Sequence, residues 1–171
     1  MPITELSNAL ERSEKDLVFM KEAFKQAQIA YEMNEVPVGC VLVHNDKIIA
    51  RGYNQVELLK DATAHAEMIC LTSGSEHLGD WRLEGTTLYC TLEPCLMCAG
   101  ALYAARVDRV VWAAKDLRVG ANGSWIDVFS KNHPIHTIEI SQGPLERESA
   151  ELMQAFFEKV RNEKKSLRRD F

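Results

Sequence analysis

Glycine and proline are scarce in this sequence. Nine glycines and five prolines occur among 171 residues, and there is no internal repeat or low-complexity tract. These shortages exclude a collagen-like chain and a disordered chain of Pro- and Gly-rich composition. The remaining composition, with 46% hydrophobic and 26% charged residues, is that of a globular protein. The length suits one compact core, so we predict a single domain over residues 1–171.

Long apolar runs are also missing. No stretch approaches the roughly 20 apolar residues that a membrane-spanning helix needs. Residues 1–15 (MPITELSNALERSEK) contain neither an apolar segment nor a basic leader, and so do not resemble a secretory signal. We therefore expect a cytoplasmic protein that has no membrane partner.

The cysteine content does not favour a disulfide framework. Such frameworks have an even number of cysteines and occur in secreted chains, whereas this sequence has five and no recognisable secretion signal. The thiols are therefore expected to be buried, metal-bound or catalytic. The five residues are Cys40, Cys70, Cys90, Cys95 and Cys98.

Positive charge is deficient in the chain as a whole but not at its end. The net charge is −5, yet residues 159–169 carry six basic residues and only one acidic residue. This basic segment can be a solvated final helical turn, where cations suit the helix dipole. It can equally be a patch that contacts phosphates. Its basic residues are Lys159, Arg161, Lys164, Lys165, Arg168 and Arg169.

Hydrophobic periodicity divides the chain into alternating strands and helices. The predicted strands cover residues 39–43, 47–53, 86–92, 109–113 and 137–140, with a hairpin turn at Asn45-Asp46 between the first two. The predicted helices cover residues 16–34, 63–71, 95–105 and a last long stretch within 144–171 that ends in the basic tail. This alternation indicates an α/β fold with three layers, α/β/α, around a central sheet of about five strands.

Three residues have the character of zinc ligands at a useful spacing. Cys95 and Cys98 lie three residues apart at a predicted helix start, where a low thiol pKa favours thiolates. His65 precedes them by 30 residues at the start of another predicted helix. If the two helices lie side by side on one face of the sheet, the three side chains converge on one ion.

The number of ligands separates two kinds of zinc site. Structural sites are closed by four protein ligands, whereas catalytic sites keep three and leave a position open for water. Cys90 could supply a fourth sulfur and close the site. It lies within a predicted strand, where a buried core cysteine is the simpler interpretation.

Glu67 favours the catalytic alternative. A structural zinc site needs no carboxylate two residues after its histidine, but hydrolytic deamination needs a group that moves protons between water, ring nitrogen and leaving amine. A plain alternative for Glu67 is an acidic residue that stabilises the first turn of a helix. The order His65-x-Glu67 followed by Pro94-Cys95-x-x-Cys98 matches the H-x-E…P-C-x-x-C signature of zinc deaminases.

Longer motifs surround this signature. They are NEVPVG at 34–39, LVHN at 42–45, Asn54, TAHAE at 63–67, TLEPCLMCAGAL at 91–102, Arg106-Val107, Asp116 and residues 120–127. With these motifs the sequence resembles the cytidine deaminase-like superfamily. Within it, the sequence is similar to the bacterial tRNA-specific adenosine deaminases, which make inosine at the wobble position, and the resemblance extends from about Phe19 to about Phe157.

The resemblance implies more than the spacing does. It implies a cytidine deaminase-like fold, one Zn²⁺ per subunit, and contacts from Asn54, from the backbone around Ala66 and from Asp116 to the RNA substrate. It also implies a homodimer whose basic C-terminal helix reaches the tRNA anticodon loop. Two features depart from the family: Ala62 replaces the usual proline, and residues 1–13 form an extension of unknown role, for which a frayed end is the plain interpretation.

Two other functions remain open from the sequence. The first is a deaminase of a free base or nucleoside, of guanine or cytosine type, with the same zinc ligands and Glu67. The second is a zinc-stabilised RNA-binding module without turnover. The basic tail and the tRNA-type motifs argue against the first alternative, and Glu67 with three ligands argues against the second.

Overall fold

The computed structural model of the chain describes residues 3–167, which form five strands and five helices. The strands are β1 (Gly39–His44), β2 (Lys47–Tyr53), β3 (Thr86–Leu92), β4 (Arg109–Ala114) and β5 (Glu139–Gln142). The helices are α1 (Ile3–Glu32), α2 (Val56–Leu59), α3 (Ala66–Leu78), α4 (Leu96–Ala104) and α5 (Glu146–Leu167). All five predicted strands are therefore present, although β5 begins two residues later than expected.

The strands form one mixed sheet in the order β2-β1-β3-β4-β5. β1 is antiparallel to both β2 and β3, whereas β3, β4 and β5 are parallel to one another. The β1–β2 hairpin turns at Asn45 and Asp46, whose φ angles are 50° and 57°. Two consecutive positive φ values are what a tight two-residue hairpin requires, and Asn and Asp tolerate them.

Alternating residues of the strands build two cores, one on each face of the sheet. On one face, Leu42, Leu88 and Val110 pack with residues of α3 and α4. On the other face, Val41 and Val111 pack with residues of α1. α5 lies beside α1, where the rings of Tyr31 and Phe156 are 6.1 Å apart. The three-layer α/β/α prediction is therefore confirmed.

Close packing of α1 on the sheet depends on Gly39, the first residue of β1. A β-carbon at this position would collide with the backbone of Ala23 and Ala27 in α1. The helix can therefore lie directly on β1, and its last turn leads into the loop that precedes this strand.

The predicted start of α1 at residue 16 is wrong, because the helix begins at Ile3. Residues 5–14 contain good helix formers and neither glycine nor proline, but they show no apolar stripe that would have marked them. The side chains of residues 7–14 are exposed, and Arg12 forms an ion pair with Glu139 of β5. The described part of this extension, residues 3–13, is therefore helical.

Two shorter differences concern the helices that follow β2. α2 was not predicted, because a four-residue turn is too short to show a helical period. α3 begins at Ala66 rather than near Thr63, and it continues past the predicted end at Leu71 to Leu78. Among residues 3–167 we find no helix with the length and apolar character needed to cross a membrane.

Candidate metal centre and active-site cavity

Two helix starts bring the three predicted metal ligands together. His65 is the residue immediately before α3, and Cys95 is the residue immediately before α4. Cys98 lies in the first turn of α4. The Nδ1 atom of His65 is 3.6 Å from the sulfur of Cys95 and 3.5 Å from the sulfur of Cys98. All three donor atoms lie within 4.8 Å of one another.

This donor set fits tetrahedral zinc. With Zn–S bonds of about 2.3 Å and Zn–N bonds of about 2.0–2.1 Å, a tetrahedral ion would separate sulfur from nitrogen by about 3.6 Å. The two observed distances agree with that separation. Within the described residues no fourth donor joins this group, because Cys90 lies instead with Cys40 and Glu67. The three-ligand arrangement is the one that leaves a position for water.

The protein surroundings favour a thiolate at Cys95. A hydrogen bond from Cys98 and a second one from His65 lower the pKa of Cys95 to about 4. The same contact with Cys95, together with burial, raises the pKa of Cys98, and the hydrogen bond to Cys95 raises the pKa of His65. The ligand cluster therefore readily carries one negative sulfur, which is the form that binds a metal cation.

A cavity of about 270 Å³ opens beside this cluster. Its size is close to the lower end of small-molecule sites, about 300 Å³. Its walls come from the loops at one end of the sheet and from the start of α3. The lining residues include Glu35, Val36, Val38, Asn54, Val56, Glu57, His65, Ala66, Glu67, Glu93, Cys95, Asp116 and Arg118.

Glu67 lies on the cavity wall two residues after His65, and only 4% of it is exposed. Burial raises the pKa of its carboxyl group above the usual value. A carboxyl group with a raised pKa exchanges protons near neutral pH more readily than an exposed one does. Its placement therefore suits proton transfer within the cavity.

The other predicted substrate contacts also line the cavity. Asn54 follows β2, Ala66 is the first residue of α3, and Asp116 follows β4. Asp116 is partly engaged by the protein itself, since its Oδ1 accepts hydrogen bonds from the backbone amides of Arg118 and Val119. Six of the seven predicted site residues thus line one cavity, and the seventh, Cys98, is buried next to them in the metal cluster.

The sequence from residue 13 to residue 114 matches a family described as the cytidine and deoxycytidylate deaminase zinc-binding region. The tRNA-specific adenosine deaminase of Bacillus subtilis (strain 168) is 44% identical over 156 residues, which are 91% of this chain and 97% of that protein. This chain belongs to the tRNA-specific adenosine deaminase family. As a member of a zinc-binding deaminase family, it takes Zn²⁺ as its cofactor.

Other relatives of this family are similar over most of the chain. The chloroplastic tRNA(adenine(34)) deaminase of Arabidopsis thaliana is 51% identical over 164 residues, which are 86% of this chain but only 12% of that protein. A solved structure from a study of A-to-I editing by tRNA:A34 deaminases has a TM-score of 0.76 and 43% identity, covering 80% of this chain and 99% of that one. The solved structure of the guanine deaminase of Bacillus subtilis has a TM-score of 0.57 and 32% identity, covering 85% of this chain and 92% of that one.

Sequence reasoning missed two buried acids of this deaminase site, Glu35 and Glu93. Each is only 1% exposed. Both lie within the motifs that carry the family resemblance, NEVPVG and TLEPC, where Glu35 precedes Val36 and Glu93 lies between Leu92 and Pro94. An acidic residue within an apolar segment signals a buried carboxylate, and such a carboxylate needs hydrogen-bond partners.

Glu93 organises the loop after β4. Its two carboxylate oxygens accept hydrogen bonds from the backbone amides of Asp116, Asn122 and Ser124 and from the Ser124 hydroxyl. Gly120 lies against this carboxylate so closely that a β-carbon there would collide with it. One side chain therefore shapes the segment 116–124, which forms a wall of the cavity.

Ala62, where the deaminase family usually has proline, lies in a closed turn. The Ala64 amide donates to the Asp61 carbonyl over 3.1 Å, and Asp61 Oδ1 accepts from both the amide and the hydroxyl of Thr63. The turn before His65 is therefore held by side-chain and backbone hydrogen bonds without a proline.

The basic segment of the C-terminal helix is described only up to residue 167. Arg161, Lys164 and Lys165 are exposed on α5, whereas Arg168 and Arg169 lie outside the described residues. The amine of Lys159 donates to Asn34 Oδ1 over 2.6 Å, just before the loop that carries Glu35. Part of this segment thus lies next to the cavity walls.

Proposed function

We propose that this protein hydrolytically deaminates adenosine to inosine at the wobble position of a tRNA anticodon. The observation that carries the proposal is the buried Glu67 on the wall of a cavity, beside a three-donor metal cluster. The overall reaction consumes one water and releases one ammonia, so the enzyme acts as a hydrolase on a C–N bond. We infer one zinc-dependent deaminase domain over residues 1–171.

His65, Cys95 and Cys98 are the proposed zinc ligands. Zinc held in a three-ligand site supplies Lewis-acid activation of water near neutral pH. The protein contributes the fixed helix starts that hold the donors and the buried walls that limit the access of bulk water. Replacement of Cys95 by alanine should remove both the metal and the activity, as measured by metal content and turnover on the same sample.

Glu67 is the proposed proton carrier. Its carboxylate takes a proton from the attacking water and delivers it to the ring nitrogen next to the amine-bearing carbon. Glu67 next takes the remaining proton of the added hydroxyl and passes it to the amine nitrogen as the C–N bond breaks, so that the nitrogen leaves as ammonia and the ring carbon keeps the oxygen as a carbonyl. Burial raises the pKa of Glu67, which suits a group that must both accept and release a proton in one cycle.

Asn54, the backbone at Ala66 and Asp116 are the proposed substrate contacts. Each lines the cavity that contains Glu67. Asn54 carries a neutral amide that can either donate or accept a hydrogen bond. Asp116 already accepts two backbone amides, so its contribution to RNA binding includes the shape of the loop it holds.

The basic segment at residues 159–169 is the proposed contact with the RNA backbone. Alanine at its six basic positions should weaken binding of an anticodon stem-loop and flatten the dependence of log K on log salt, by about 0.7–0.9 per lost phosphate contact. A variant with Lys21 and Lys47 replaced, both exposed and outside this segment, should keep the original slope. An unchanged slope in the six-residue variant would mean that the segment is only a solvated helix end.

A homodimer is proposed from exposed apolar side chains beside the cavity. Leu117 is 77% exposed and Trp125 is 60% exposed, with Leu96, Val119 and Ile126 also exposed. Apolar side chains clustered in this way commonly mark a protein interface. Trp125→Glu should lower the mass found by sedimentation equilibrium, whereas Leu10→Glu, on the exposed start of α1, should not. A single-chain mass for the unchanged protein would reject the dimer.

The cytoplasm is the proposed location because the proposed substrate is tRNA. The chloroplastic relative makes a tRNA-containing organelle the alternative compartment. Fractionation of the source cells with an antibody against the chain would distinguish the two.

The central experiment is turnover on an anticodon stem-loop that carries adenosine at the wobble position. The matched control is the same stem-loop with that adenosine moved by one position. Inosine should form only in the first RNA, and free adenosine, cytidine and guanine should remain unchanged. Equal conversion of both stem-loops would overturn the wobble assignment.

A free-base deaminase is the second candidate, supported by the 32% identity and similar fold of the guanine deaminase. Release of ammonia from guanine, without inosine in any RNA, would favour this candidate and keep the roles of zinc and Glu67. RNA binding with zinc present but no turnover on any substrate would favour a non-catalytic RNA-binding module.

A further inference from the structure

Glu35 lies in the loop between α1 and β1, on the wall of the cavity. Among the described residues, no cationic side chain donates a hydrogen bond to its carboxylate. The carboxylate is satisfied by neutral donors instead. Its Oε2 accepts from the Asn54 side-chain amide over 3.1 Å and from the Glu57 amide over 3.2 Å. Its Oε1 accepts from the Leu58 amide over 2.7 Å. Both oxygens are therefore engaged.

Two of these donors belong to the start of α2. Glu57 and Leu58 are the second and third residues of this turn, and amides at such positions have no acceptor within their own helix. A side chain at the cap residue usually accepts these hydrogen bonds, but the cap residue Gln55 makes no such bond. Glu35 replaces it from a different part of the chain. The position of α2, which contributes Val56 and Glu57 to the cavity, thus depends on Glu35.

The third donor is the side-chain NH₂ group of Asn54, and its hydrogen bond to Glu35 fixes the orientation of the Asn54 amide. An ionised carboxylate can only accept hydrogen bonds, so the NH₂ group of Asn54 must be the part that faces Glu35. The Asn54 backbone amide is also held, by the Val38 carbonyl at 3.0 Å. The side-chain Oδ1 is then the atom of Asn54 that remains available as an acceptor.

We propose that Glu35 is a positioning residue that orients the Asn54 amide, so that Asn54 presents an oxygen acceptor to a hydrogen-bond donor of the bound nucleoside. This inference rests on the proposed function, because it assigns the polarity of one substrate contact in that site. Glu35 does not touch the substrate. It acts through Asn54 and through the wall formed by α2.

Glu35→Gln is the direct test. The new side chain has the same shape but one acceptor oxygen, so its NH₂ group must face a former donor, which is either the Leu58 amide or the pair formed by the Asn54 NH₂ group and the Glu57 amide. We expect kcat/KM on the wobble stem-loop to fall by about tenfold, mainly through KM, because a binding contact is lost rather than the proton carrier. Glu35→Asp keeps an acceptor-only group and should lose less. Glu76→Gln, an exposed change on α3, should lose nothing.

A double-mutant cycle tests whether Glu35 acts through Asn54. If it does, Glu35→Gln should cost little further kcat/KM in an Asn54→Ala background. Losses that multiply would overturn the proposal and leave Glu35 as a support of α2 alone. Zinc content and the unfolding midpoint of each variant identify one that fails to fold, and in that case the Glu35→Asp variant replaces Glu35→Gln in the cycle.

A readout without turnover separates this proposal from the proposed function. In the zinc-loaded chain of 171 residues, the side-chain NH₂ resonances of Asn54, assigned by their loss in Asn54→Ala, should show slow exchange with water. They should exchange faster or shift in Glu35→Gln but not in Glu76→Gln. Unchanged resonances in Glu35→Gln would overturn the positioning role. Changed resonances without adenosine turnover would instead reject the proposed function.

Discussion

The two ends of the central sheet use buried charge in different ways. At the end where β3 and β4 finish, Glu35 and Glu93 accept hydrogen bonds mainly from backbone amides of the surrounding loops. At the end where these strands begin, Asp16 of α1 accepts from the guanidinium of Arg109 at 2.6 and 2.7 Å and from the Tyr89 hydroxyl at 2.8 Å.

Because their hydrogen-bond partners differ, the carboxylates at the two ends of the sheet have different structural roles. A carboxylate bound by backbone amides determines the path of a loop, and these loops form the walls of the cavity. A carboxylate bound by side chains joins a helix to a strand and determines no loop. Changes at the cavity end should therefore alter catalysis or loop order, whereas changes at the other end should alter stability alone.

The largest effect is expected from Glu67→Gln. The cavity keeps its shape, but the proposed proton carrier is lost, so kcat should fall by about 100-fold or more. Zinc content and the unfolding midpoint should stay near those of the unchanged protein. Turnover within a few-fold of the original rate, measured on the wobble stem-loop, would remove Glu67 from the mechanism.

Glu93→Gln should loosen the other cavity wall. A carboxamide has one acceptor oxygen for the donors that now share two, so at least one buried amide loses its partner. The free energy of unfolding should fall by about 1–3 kcal/mol in urea titrations. Hydrogen exchange should increase between residues 116 and 124, and Glu14→Gln on the exposed part of α1 serves as the control. Unchanged exchange in that segment would contradict the role of Glu93.

Asp16→Asn tests the opposite end of the sheet. Burial alone would raise the pKa of Asp16, but hydrogen bonds from Arg109 and Tyr89 outweigh it and hold the pKa below the usual value. Its stabilisation is therefore present above the unfolded-state pKa of about 3.9 and is lost as the pH falls through the lower folded-state pKa. At pH 7 the variant should be less stable by about 1–3 kcal/mol, with unchanged kcat.

The pH dependence of the free energy of unfolding distinguishes Asp16 from an exposed carboxylate. The stability difference between Asp16→Asn and the unchanged protein, from urea unfolding at each pH, should shrink below about pH 4. Asp46→Asn removes an ion pair with Lys15 whose two side chains are largely exposed, and it should change little at any pH. A difference that stays constant down to pH 3 would show that the Asp16 charge does not matter.

The smallest effect is expected from Ala62→Pro. Ala62 is the second residue of the turn that the Ala64 amide closes onto Asp61, and proline is favoured at that position. The substitution restricts the unfolded chain and should raise the free energy of unfolding by about 0.4–1 kcal/mol. Thermal unfolding of the zinc-loaded protein measures it. A loss of stability would mean that the turn cannot accept proline.

The strands and the metal ligands could be predicted from the sequence for local reasons. Alternation of apolar residues marks each strand within a few positions, and His65, Glu67, Cys95 and Cys98 form a compact pattern of reactive residue types. The start of α1 could not be predicted, because residues 7–14 are exposed and show no apolar stripe. α2 has no local cap, and its capping carboxylate comes from Glu35, more than twenty residues away.

Glu35 and Glu93 escaped prediction for a related reason. Most of their partners are backbone amides, which every residue except proline carries, so no side-chain pattern identifies them. Only the tertiary structure shows that Glu93 meets the amides of Asn122 and Ser124 across about thirty residues. Buried acids in apolar segments are thus worth testing as loop supports even where no partner can be named.

A larger residue at position 120 would collide with the Glu93 carboxylate and with the backbone carbonyl oxygen of Asp116. A lineage or a designer that seeks a different loop between residues 116 and 124 must therefore alter Gly120, Glu93 and the backbone around Asp116 together. Each single step passes through a crowded or a poorly supported intermediate. The path of the loop is therefore expected to stay the same even where its exposed side chains change.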